Sequence, residues 1–152
     1  LSWRVALGMD ADFRRDLVDV RRAMEPAAAA LAAERRTEAD LIVMRRAIAG
    51  MRGEPASDYG FARADLELHV AIGAASQNPM MRSFASVIET ALLEAFTLSP
   101  PTRTPNLHRD TVDAHERIID CIEARDANGA SAAMLAVIDA GHHRVEAERE
   151  RD

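Results

Sequence analysis

Apolar residues recur along this chain every three or four positions, and no useful length of it alternates every two. That period puts the apolar groups on one face of successive helices and predicts no strands. The first helix begins at about Asp12 and carries Leu17, Val20, Met24, Ala28 and Leu31 on its stripe, with Arg21 among them. Pro26 lacks an N–H and disfavours α geometry at Glu25, so a kink or break is expected there, with a second helical piece over 27–36. Thr37 opens an N-cap with acidic residues in the first turn of the next helix. That helix carries Leu41, Met44, Ile48 and Met51 and ends near Gly53-Glu54-Pro55.

The helix from Ser57 to Ser76 has an inward stripe of Phe61, Asp65, Leu68, His69 and Ile72. Asn78-Pro79 is an N-cap with proline at the first helical position, followed by Met81, Phe84, Ile88, Ala91, Leu92 and Ala95. Ser99 to Pro105 reads as the one clear loop. Leu107 to Arg125 is helical, with Thr111, Val112, His115, Ile118, Ile119 and Ile122 inward. Asp126-Ala127-Asn128-Gly129 reads as a turn, and a last helix runs from about Ala130 towards Glu150 on Ala133, Met134, Val137, Ile138 and Gly141. The flanks are a lead-in over Leu1 to Met9 and a charged, fraying tail.

Composition narrows the class. The 152 residues are 48% hydrophobic but only 4% aromatic, with 7 glycines and 6 prolines, the profile of one all-α domain with a sizeable core. No run of about 18 apolar residues predicts a membrane span. The single Cys121 sits on an apolar face, which predicts inert packing and a reducing, cytoplasmic setting. The net charge of −6 argues against this segment gripping nucleic acid. All 19 basic residues are arginine, which we read as GC-rich codon usage and a bacterial source. Because residue 1 is Leu, a further N-terminal part is expected before it.

Four polar residues interrupt apolar stripes: Arg21, Asp65, His69 and His115. Each has a plain reading. Arg21 can pair with Glu25 one turn on, Asp65 can bond His69 four residues on, and His115 can be a core histidine held by a backbone carbonyl. Together they have a second reading. One Asp and two His from two helices are a ligand set for zinc, nickel, iron or manganese. Three protein ligands leave positions open for water or a small oxygen ligand.

The stretches VRRAMEPAAAALAAERRTEADL, DLELHVAIGAASQNPM and HERIIDCIEARDANGASAAM resemble, in that order, three segments of the FCD domain. This is the effector-binding domain of FadR-type regulators in the GntR superfamily, and the resemblance spans roughly Phe13 to Val145. The lead-in LSWRVALG resembles members that sense sugar acids such as hexonates. The family implies an antiparallel bundle of six to seven helices over residues 10–152, a homodimer, and a DNA-binding winged helix N-terminal to residues 1–9. It implies a divalent metal and a small carboxylate effector, with no enzymatic activity. Asp65, His69 and His115 match the first three metal-ligand positions. The fourth, 22 residues after His115, is Val137 rather than histidine. His142 lies about 140° around an ideal helix from it and cannot replace it; whether His142 or His143 contributes stays open. Arg144 returns to the face of Val137, with Gly141 leaving room, and is expected to bind the effector's carboxylate with Arg21 and Asn78. His108 is read as a surface or loop residue. Few aromatics mildly favour a small polar acid.

Two rivals stay in view. A metal-dependent helical hydrolase would need a spare inward carboxylate as base, and none is evident; a di-iron bundle would need Glu-x-x-His pairs, and the chain has only Asp139-x-x-His142. An effector-free dimerisation module would need only that the inward polar groups satisfy one another.

Overall fold

A computed structural model describes residues 11–53, 57–85, 93, 102 and 104–149. Among them the regular elements are helices: α1 (Ala11–Arg35), α2 (Glu38–Arg52), α3 (Asp58–Ala75), α4 (Pro105–Glu123) and α5 (Ala127–Arg149). Residues 79–85 are helical as well. α1 packs along α5 and also meets α3 and α4; α2 lies on α3 and α4; α4 and α5 form a hairpin. The expected lead-in, Ile88 and the later part of its stripe, and most of the Ser99–Pro105 loop lie outside the described residues.

The helix starts follow local chemistry. The Thr37 hydroxyl accepts from Asp40 N at 3.2 Å while Asp40 Oδ2 accepts from Thr37 N at 2.8 Å, a reciprocal capping box. The Ser57 hydroxyl caps α3 by accepting from Gly60 N at 3.0 Å. Asn78 Oδ1 accepts from Met80 N at 2.9 Å, the cap expected from Asn-Pro. The α4 stripe is as expected: Thr111, Val112, His115, Ile118, Ile119 and Ile122 are all buried.

Four expectations need correction. α1 is continuous through Pro26 rather than broken there. Pro26 removes one backbone hydrogen bond. Contacts of α1 with three other helices hold it, helped by an Arg22–Asp139 ion pair to α5 at 2.8 Å. The stripe of α1 is also rotated. Val20 is 42% exposed, whereas Arg21, Glu25, Ala28, Ala29, Ala32 and Ala33 are buried. The last helix starts at Ala127, not Ala130, because Asp126 Oδ1 accepts from Gly129 N at 2.8 Å and caps it. The reversal falls instead on Arg125, at φ 58°. Lastly, His108 is no free surface residue. Its Nε2 donates to the Met51 carbonyl at 2.7 Å and its ring meets Phe61 edge to face at 5.5 Å, tying the start of α4 to the end of α2. Cys121 is half-buried against the core, and burial, then the charges of Asp126 and Asp120, push its thiol up.

Candidate metal centre

Asp65 and His69 leave α3 one turn apart on its buried face, and His115 enters from α4. The tertiary fold brings them to one point. Asp65 Oδ1 lies 3.0 Å from His115 Nε2 and 3.3 Å from His69 Nε2. One ligand atom from each falls within 4.8 Å of the others, and all three residues are buried. The contact between Asp65 Oδ1 and His115 Nε2 is not aligned as a hydrogen bond, and both atoms are shut off from solvent. Donor atoms in such an arrangement can hold a divalent transition metal.

Both histidines are steered by their other ring nitrogen. His115 Nδ1 donates to the Thr111 carbonyl at 2.7 Å, inside its own helix. His69 Nδ1 donates to Glu25 Oε2, on α1. Each Nδ1 is therefore tied to an oxygen outside the cluster, and each Nε2 faces Asp65. Sequence reasoning named Glu25 only as a partner of Arg21 and missed its bond to His69. Its only signal was its place one turn after Arg21 on a buried stripe, and the adjoining proline disguised that stripe as a helix end. Arg21 Nε donates to Glu25 Oε1 at 2.6 Å, so the plain reading of Arg21 holds in the structure.

The charges are mutually dependent. Burial raises the pKa of Glu25, but the charges of His69 and Arg21 and their hydrogen bonds outweigh it and bring it down to about 2. Burial likewise opposes ionisation of Asp65, yet His115 and His69 hold its carboxyl well below the usual carboxylate range. Burial lowers His69, and Glu25 with Asp65 more than reverses this, raising it to about 9. Without a metal, a proton on His69, together with Arg21, is thus the local counter-charge for two carboxylates.

Val137, at the fourth family position, is 8% exposed in the main core and offers no ligand atom. Arg144 is half-buried, and one terminal nitrogen lies 3.7 Å from where a Cβ on Gly141 would stand, an ordinary contact distance, so the two are neighbours but the space does not depend on glycine. His142 is half-buried and His143 exposed, their rings 6.0 Å apart, and neither joins the cluster of ligand atoms. Asn78 is half-buried and its Oδ1 serves the helix cap. Beside Glu25 and His69 is a cavity of about 20 Å³, room for about one water, walled by Met24, Ala28, Ile72, Phe84 and Met134. It is small and mostly apolar.

The FCD domain model matches residues 16–140. The chain is 33% identical over 138 residues to the HTH-type transcriptional regulator LutR of Bacillus subtilis strain 168, covering 86% of this chain and 61% of LutR. It is 26% identical over 148 residues to the galactonate operon transcriptional repressor of Escherichia coli K12, covering 95% of this chain and 63% of the repressor. The chain thus spans about three-fifths of the length of these relatives. Among solved structures, E. coli McbR/YncC superposes with a TM-score of 0.78 at 14% identity, over 92% of this chain and 67% of that one, which shows the same fold. Among the described residues no helix is long and apolar enough to cross a membrane.

Proposed function

The chain belongs to the FCD domain family of GntR-type regulators, and from that premise we propose that it is the sensing part of a bacterial transcription regulator. It binds a divalent transition metal through Asp65, His69 and His115, and a small carboxylate completes the metal's coordination. The metal is zinc, nickel or manganese by ligand type. One observation carries this reading. Both Nδ1 atoms point outward to oxygen acceptors, so both Nε2 atoms and a carboxylate oxygen face one another in a dry interior. Without a metal the proton on His69 balances this set, and a divalent cation at its centre can take that proton's place.

With Val137 in the fourth position, the metal keeps positions open for water and an acid. Arg144 is the partner for the acid's carboxylate. Arg21, already bonded to Glu25, acts mainly through that residue, and the Asn78 amide has its NH₂ left for an effector. The effector is a hydroxy acid or a sugar acid; a relative named for a galactonate operon supports an acid of this kind. Its entry requires the methionine-rich wall to move, which flexible Met24 and Met134 allow. DNA contact belongs to a winged helix N-terminal to this segment. The regulator acts as a cytoplasmic homodimer, and effector binding shifts the population of bundle arrangements that space two DNA-reading modules.

An enzymatic reading has less support. Among the described residues, Glu25 is the further carboxylate at the cluster, and it is spent on Arg21 and His69 rather than poised beside a metal-bound water. Elemental analysis, followed by calorimetric titration of lactate and galactonate into zinc-loaded protein, tests the proposal. Stoichiometric metal with acid binding and no turnover supports it. A protein that takes up no metal, or that consumes the acid, contradicts it.

A further inference from the structure

The geometry points to Glu25, anchored by Arg21, as the positioning residue that sets which nitrogen of His69 meets the metal. The inference rests on the metal reading above and adds a residue from a third helix, α1, which supplies no ligand itself.

Glu25 uses its two oxygens for two different donors. Oε1 accepts from Arg21 Nε at 2.6 Å, and Oε2 accepts from His69 Nδ1 and, at 3.5 Å, from Arg21 Nη2. A buried carboxylate bonded to a guanidinium on one side and an imidazole on the other is held in orientation by both. It therefore holds the proton of His69 on Nδ1 and leaves the Nε2 lone pair for the metal. His115 obtains the same tautomer from a main-chain oxygen, the Thr111 carbonyl at 2.7 Å, which no side-chain substitution removes. For His69 the oxygen at Nδ1 comes from a side chain, that of Glu25. Carboxylate partners of this kind orient ligand histidines and raise their basicity.

Glutamine exposes the requirement. It has one oxygen and one NH₂ at the same two places. If its oxygen faces His69, its NH₂ faces the Arg21 donor. If its NH₂ faces His69, Nδ1 must accept, the proton moves to Nε2, and the metal-facing lone pair is lost. Neither orientation reproduces the native pattern.

The test uses the whole 152-residue chain, stripped of metal and titrated with zinc by calorimetry and with cobalt(II) by visible absorption. Glu25→Gln is expected to bind zinc roughly 10- to 100-fold more weakly, with an altered cobalt spectrum as His69 leaves the coordination sphere. A purely structural part for Glu25 would lower the melting temperature of the stripped protein and leave that spectrum unchanged. A second measurement needs no variant. Long-range ¹H–¹⁵N correlation on zinc-loaded wild type should show His69 protonated on Nδ1 and bound through Nε2. Wild-type affinity and spectrum in Glu25→Gln, or zinc bound through Nδ1 of His69, would overturn the assignment while leaving the metal reading intact. A wild-type protein that binds neither metal would overturn both.

Discussion

Oδ1 of Asp65 stands 3.0 Å from Nε2 of His115, joining α3 to α4 through two buried side chains that lie 50 positions apart in the chain. Asp65 is the shared neighbour of both histidines, so it carries more of the cluster than either. Asp65→Asn removes the charge at nearly constant volume. It is expected to abolish retention of metal through chelation and dialysis. It should also destabilise the stripped protein by about 3 kcal/mol, because an uncompensated group is left in a buried ionic network. Urea denaturation of both forms checks this; a stripped variant as stable as wild type would show that the network contributes no net stability.

The charge coupling sets a pH window for the metal-free protein. His69 is raised from 6.5 to about 9 by Glu25 and Asp65 against the cost of burial. Its contribution is therefore complete below pH 6.5 and is lost as pH rises through about 9. Glu25 is lowered from 4.5 to about 2, so its contribution is present above pH 4.5 and is lost as pH falls through about 2. Arg21, Asp65 and His115 are the other charged or titratable groups at this junction. Stability of stripped protein should plateau between about pH 4.5 and 6.5 and decline towards alkaline pH. Zinc must displace the proton of His69, so its affinity should rise over the same alkaline limb. Denaturation curves and zinc titrations across pH read both trends, and a flat zinc affinity above pH 6.5 would contradict them.

Gly129 gives a prediction of reversed sign. Alanine in place of glycine normally stabilises a helix by about 1 kcal/mol. Here a Cβ would stand 2.2 Å from Asp126 Oδ2 and 2.9 Å from Cys121 Sγ. Gly129→Ala must displace the Asp126 cap of α5, so a net loss of about 1–2 kcal/mol is expected. Thermal unfolding of the variant measures it, and a raised melting temperature would show that the α4–α5 turn has more room than its geometry implies.

The cavity beside the Asp65–His69–His115 cluster bears on the proposed effector. Met24, Ile72, Phe84 and Met134 offer no hydrogen-bond partners to a polyol chain. Buried hydroxyls without partners are costly. A short hydroxy acid is therefore expected to raise the melting temperature of zinc-loaded protein more than a six-carbon sugar acid at equal concentration. The opposite ranking would mean that polar groups elsewhere line the route taken by the acid.

The sequence showed most clearly what contrast reveals. On α4, isoleucines alternate with charged residues, and its six inward positions are all buried. The Asp65–His69 pair was legible because helical spacing alone puts both on one face, and the apolar neighbours of His115 marked it as inward. α1 was misread because its buried face is mostly alanine, as is part of its flank, so Val20 drew the stripe to the wrong side. Glu25 was hidden for a related reason. Beside Pro26 an acidic residue reads as a helix end, and only packing on α3 reveals its bond to His69. At the last turn, Asn128-Gly129 has the look of a reversal, yet the Asp126 side chain claims the Gly129 N–H and starts the helix early. That Asp65, His69 and His115 meet at one point is a property of how α3 and α4 pack, which no local pattern encodes.

The most direct test is an anomalous difference map from zinc-soaked crystals of this chain. The account predicts one strong peak within about 2.0–2.2 Å of Asp65 Oδ1, His69 Nε2 and His115 Nε2. A map with no peak there, collected at zinc concentrations that saturate structural sites, would contradict it.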